Sequence, residues 1–111
     1  MARTVRAPQV VVSSGLAGVY TPTGDNVNGE TVVYNGRRVL HCKNTTAGSI
    51  NVTVRNPTLV DGQAAPDRVV AIPATTGDKV IGLQSAVYLQ SDGTTWIDYT
   101  ATGLSVACYE V

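Results

Sequence analysis

The chain has no phenylalanine, one tryptophan and one histidine, and charged residues make up only 14% of its 111 positions. Without phenylalanine, a core has to be filled by aliphatic side chains and tyrosine. One histidine and two lone cysteines lack the ligand spacing of a metal site, so no metal and no cofactor is expected. No stretch approaches the ~20 apolar residues of a membrane span. MARTVRAPQVVV has no useful apolar h-region and no cleavage site, so the product is expected to be made and initially kept in a cytoplasm. Formal net charge is zero, which gives no global electrostatic footprint for nucleic acid.

What is abundant is valine, threonine and glycine. β-branched side chains lose rotamer freedom in helices and pack well on pleated sheets, and 11 glycines supply turns. The composition points to an all-β chain of one domain. Its clearest segment is RRVLHCKNTTAGSINVTVRNP, Arg37 to Pro57. Two strand-like runs, 37–43 and 49–55, flank a turn and are expected to form a hairpin. In the second, Ile50, Val52 and Val54 alternate with Asn51, Thr53 and Arg55, the period of a half-buried strand. Further strands are expected at 9–13, 15–21, 31–34, 68–72, 79–83, 86–90, 95–100 and 104–111. Asn35-Gly36 reads as a tight hairpin turn, and 21–30 and 56–67 read as loops. Short strands at about ten-residue spacing predict an antiparallel β-sandwich, jelly-roll-like, or a small barrel. An immunoglobulin sandwich is disfavoured. Trp96 lies late, and the position two before Cys108 is Val106, where that fold has tyrosine.

Cys42 shares parity with Leu40, and Cys108 with Leu104 and Val106, so both are expected to face the core. They read as two buried free thiols or as a disulfide. The asparagines of Asn44-Thr45-Thr46 and Asn51-Val52-Thr53 read as strand and turn residues rather than glycosylation sites. Nothing in the spacing of the acids suggests a glycosidase pair or a calcium loop, and no Gly-x-Ser-x-Gly elbow is present. His41 is expected at a sheet surface or subunit contact, so a non-enzymatic role is expected. Trp96, Tyr20 and Tyr109 are candidate interface aromatics. An exposed aromatic face would equally suit a carbohydrate-binding module. Arg3 and Arg6 are the only charges before Asp25, a short basic segment that is either a solvated terminus or an arm ordering on an acidic partner.

Several strings, NGRRVLHCKNTTAGSINVTV (35–54), VDG (60–62), DRVVAIPA (67–74), DKVIG (78–82) and SDGTTWIDYTATGLSVACYEV (91–111), resemble those of small head decoration proteins of tailed bacteriophages. The resemblance covers most of residues 30–111. It implies a β-sandwich on the outer capsid of a virion, made in the host bacterial cytoplasm. It also implies a homotrimer at threefold or quasi-threefold positions, with the major capsid protein as partner. On this reading residues 1–8 form an extended arm, with Arg3, Arg6 and Pro8 anchoring it to the capsid, and residues 9–111 form the sandwich. Arg37 and Arg38 would meet an acidic capsid surface, and loops 21–30 and 56–66 would sit at the two ends. Neck, tail and head-fibre roles belong to the same class of small phage β proteins.

Overall fold

The computed structural model describes residues 3–21 and 23–111. Met1 and Ala2 of the expected arm, and Pro22 of the expected loop, lie outside the described residues. The strands are β1 (Thr4–Val5), β2 (Gln9–Val10), β3 (Glu30–Val33), β4 (Arg38–Asn44), β5 (Ile50–Val54), β6 (Leu59–Val60), β7 (Gln63–Ala64), β8 (Arg68–Ile72), β9 (Gly77–Gly82), β10 (Thr94–Tyr99) and β11 (Ser105–Glu110). Period-two alternation builds the core. Ile50, Val52 and Val54 point inward from β5, Leu40 and Cys42 from β4, Ile97 and Tyr99 from β10, and Val106 and Cys108 from β11. Burying each large aliphatic contributes about 1.5–3 kcal/mol.

Two sheets face each other, ordered β1-β3-β10-β5-β8 and β2-β11-β4-β9, with β6-β7 as a separate ribbon. The pairs are nested: β5 with β8, β4 with β9, β3 with β10 and β2 with β11. The first three pairs, all antiparallel, describe one long hairpin whose tip is the segment between β5 and β8, and β2 joins β11 in parallel outside it. Pairing of β10 with β5 and of β11 with β4 rolls it up. This is the strand order of a jelly roll. The sheets do not close, so the fold is the sandwich rather than the barrel. It is not wholly antiparallel, because β1 runs parallel to β3 and β2 parallel to β11.

Rolling corrects the local hairpins read from sequence. β4 and β5 lie in different sheets, as do β3 and β4, so both expected hairpin turns are crossings. At the first crossing only Gly36 adopts positive φ (+80°), whereas a type I′ hairpin turn needs it at both central residues. The Asn35 side chain instead accepts from Arg37 N at 2.8 Å. At the second crossing the fully buried Asn44 ends β4. Its Nδ2 donates to Gly48 O at 2.9 Å and Ile72 O at 3.1 Å, and its Oδ1 accepts from Thr46 N at 2.9 Å. One amide thus satisfies both ends of the turn and the neighbouring sheet.

Two other expected strands are irregular. Residues 15–21 form a strap without sheet pairing, held where the Gln9 side chain brackets Val19, donating to its carbonyl at 2.8 Å and accepting from its N–H at 2.9 Å. Residues 86–90 contain a 3-10 turn, Ala86–Tyr88, because Ser85 caps it through Val87 N. The expected end loops do lie at opposite ends. Gly24 rests on the Tyr99 ring and bonds Leu104 O, while the loop after Arg55 lies near Trp96 and Gln90.

Candidate functional site

The N-terminal basic residues are where structure and sequence reading part most sharply. Arg6 is 8% exposed and Glu30 is fully buried. Arg6 Nε donates to Glu30 Oε1 and Nη2 to Oε2, both at 2.7 Å. The Tyr99 hydroxyl donates to Oε1 at 2.6 Å, and Asp25 N to Oε2 at 3.1 Å. Arg6 Nη1 reaches the Val106 carbonyl at 3.0 Å. Burial opposes the Arg6 charge, but Glu30 more than offsets this and the guanidinium pKa is raised. Burial, and then the Glu30 carboxylate, push the Tyr99 phenol well above its ordinary value. A bidentate, fully bonded pair of this kind is the form in which a buried charge is tolerated. Arg6 therefore ties the N-terminal segment to both sheets and is not an anchor reaching for a partner. Arg3 is also engaged: its Nη1 bonds Asp98 Oδ1 at 2.7 Å, and its guanidinium lies 4.7 Å from the Trp96 ring centroid. Pro8 is half-buried between β1 and β2.

On the outer side of the four-stranded sheet the strap brings Tyr20 over β4 and β11. The Tyr109 hydroxyl donates to the Tyr20 hydroxyl at 2.8 Å, and Tyr20 lies 2.8 Å from His41 Nδ1. His41 Nε2 in turn meets Asp78 Oδ1. His41 therefore bridges the strap to β9, with one ring nitrogen on the Tyr20 hydroxyl and the other on Asp78. Lys43 Nζ sits 4.6 Å from the Tyr20 ring centroid. Burial, then the Tyr20 hydrogen bond, raise the Tyr109 phenol to about 12, so it remains protonated near neutral pH. Tyr20, His41 and Tyr109 thus satisfy one another as a cross-strand contact. Beside them Val11, Val12, Leu16, Val80 and Val111 form an exposed apolar surface around a shallow groove of about 320 Å³.

The remaining candidates are scattered. Arg38 bonds Glu110 Oε1 through Nε at 3.2 Å and Nη2 at 3.1 Å, and Arg37, more exposed, reaches Oε2 at 3.3 Å. The Arg38 and Asn35 hydrogen bonds hold the Glu110 carboxyl below its ordinary value. Trp96 is half-buried, stacked by Arg3 on the outer side of the other sheet, and its Nε1 donates to Asp92 at 3.4 Å. Tyr20 and Tyr109 therefore come together, as do Arg3 and Trp96, but on opposite outer surfaces. Among the described residues, no group of three metal-ligating side chains forms.

Sequence reasoning missed three features. Glu30 gave no sign of burial, because it closes a polar loop. Asp78 gave no sign of meeting His41, because β4 and β9 pair across 37 residues. The β6-β7 ribbon falls inside the expected loop 56–67, although Asp61-Gly62 between Leu59-Val60 and Gln63-Ala64 is a hairpin signal. Both turn residues take positive φ, +52° and +80°. No protein-family model, curated protein or solved structure matches the chain.

Proposed function

We propose that this protein is a non-enzymatic structural subunit that decorates the outer capsid of a tailed bacteriophage, as a homotrimer at threefold or quasi-threefold positions. The observation that carries the assembly reading is the apolar exterior. Val11, Val12, Leu16, Val80 and Val111 are 39–62% exposed around one groove beside the four-stranded sheet, and contiguous surface of this kind marks interaction sites. The capsid as partner rests on the resemblance of residues 30–111. Binding the assembled shell stabilises that state by mass action, and a trimer engaging several capsid subunits gains avidity from modest contacts. With Arg6 committed to Glu30, the arm is not the anchor in this proposal; the apolar surface and the exposed Arg37 edge are. The glycan alternative has lost one face of Trp96 to Arg3.

Purified protein mixed with undecorated mature capsids and imaged by cryo-electron microscopy tests the proposal. Regular added density at local threefold sites is expected. Bare capsids, with folded protein left in solution, would refute it, and quenching of Trp96 fluorescence by sugars would favour the glycan module.

A further inference from the structure

β8 and β9 are the outer strands of their respective sheets on one side of the sandwich. Between them the sandwich opens as a cleft of about 370 Å³. Val54, Val70, Ile81 and Tyr88 supply its apolar lining, and Arg68 and Lys79 stand at its mouth. Arg68 lies opposite buried Val54 in the β5-β8 ladder, and Lys79 opposite buried Cys42 in the β4-β9 ladder. Both cations therefore carry inward parity on edge strands, a placement that discourages a further strand from pairing there. Neither has an acidic partner within 4.0 Å among the described residues. The Arg68 guanidinium sits 6.0 Å from the Tyr88 ring centroid.

The β6-β7 ribbon has the complementary chemistry. Residues 57–64 are all exposed, with Leu59 at 65% and Val60 at 62%. Its base is held by Thr58 Oγ1 to Val87 O at 3.3 Å and Asn56 Nδ2 to Pro66 O at 3.3 Å. Its tip carries Asp61, which has no cationic partner within 4.0 Å. An isolated two-stranded ribbon is marginal in water, yet this turn is preorganised in type I′ form. An apolar acidic tip and an apolar cleft with two unpaired cations are present on one chain.

We propose that the β6-β7 ribbon of one copy docks in the β8/β9 cleft of a second copy, with Val60 against the apolar lining and Asp61 between Arg68 and Lys79. The contact joins two different surfaces, so it is heterologous and propagates head to tail until the rotation closes a ring. Closure at three rests on the trimeric reading proposed above.

The test is the oligomeric state of the full chain by sedimentation velocity and light scattering. Wild type should be trimeric, and Asp61→Lys or the pair Arg68→Glu/Lys79→Glu should weaken assembly by at least about tenfold through like-charge contact. Combining all three substitutions should restore it. The substituted side chains are exposed, and circular dichroism checks that each variant is folded. A monomeric wild type, or an assembly indifferent to Asp61→Lys, overturns the inference. Capsid binding separates this from the proposed function. A wild type that is monomeric yet coats capsids overturns the ribbon contact and the trimer while leaving decoration standing, and a charge-swappable trimer that leaves capsids bare overturns only decoration.

Discussion

Replacing Glu30 by glutamine probes what the N-terminal segment does. The side chains of Arg6 and Glu30 are 7% and 1% exposed. Glu30→Gln keeps shape and an acceptor for Tyr99 but leaves the guanidinium without its counter-charge. Stranding one partner of a buried pair costs about 3–5 kcal/mol, a large share of a total stability of about 5–15 kcal/mol. An unfolding entropy of about 2.1 cal/mol/K per residue over the 111 residues lowers the midpoint by about 4 °C per kcal/mol. Glu30→Gln should therefore melt about 13–21 °C below wild type in differential scanning calorimetry. Arg6→Met/Glu30→Gln removes both charges and should recover part of that loss, because no ion remains stranded. A shift under about 4 °C for Glu30→Gln, equivalent to about 1 kcal/mol, would refute the reasoning. So would a double variant worse than the sum of the singles. A free anchoring arm would have left folding stability indifferent to Glu30.

The thiols of Cys42 and Cys108 should be silent towards an aromatic disulfide reagent at pH 8 and react, two per chain, only in denaturant. Burial pushes them up to about 12 and about 11, and only thiolate attacks. Because these folded pKa values exceed the unfolded one of about 8.5, their contribution to stability is complete below that pH and is lost as pH rises through 11–12. Rapid stoichiometric labelling at pH 8, or a melting midpoint that rises with alkali, would contradict this. Gly77→Ala should cost about 1–3 kcal/mol in urea unfolding, since its Cβ would lie 2.1 Å from the Pro73 carbonyl oxygen. Gly48→Ala, with no heavy atom within 4 Å of the new Cβ, should be neutral or stabilising by up to about 1 kcal/mol; equal losses at both glycines would overturn that distinction.

Much of this protein was legible in the chain alone, because sheet formation is written locally. Valine-rich alternation at 50–54 named the inward residues of β5. The parity of Leu40, Cys42, Val106 and Cys108 placed both thiols in the core, and turn residues marked most strand ends. Those signals act over a few residues through side-chain shape and pleat geometry.

What the tertiary structure alone decided is which strands meet. Asn35-Gly36 and the turn after Asn44 look like hairpin turns in isolation. Burying two apolar faces against each other instead sends successive strands into opposite sheets. The same rolling carries Glu30 to Arg6, Asp78 to His41 and Asp98 to Arg3 across 24, 37 and 95 residues. It turned an expected basic arm into a buried ion pair and left the ribbon at 59–64 standing clear. A charged residue in sequence carries no mark of whether it will be desolvated, because that depends on what the rest of the chain packs over it.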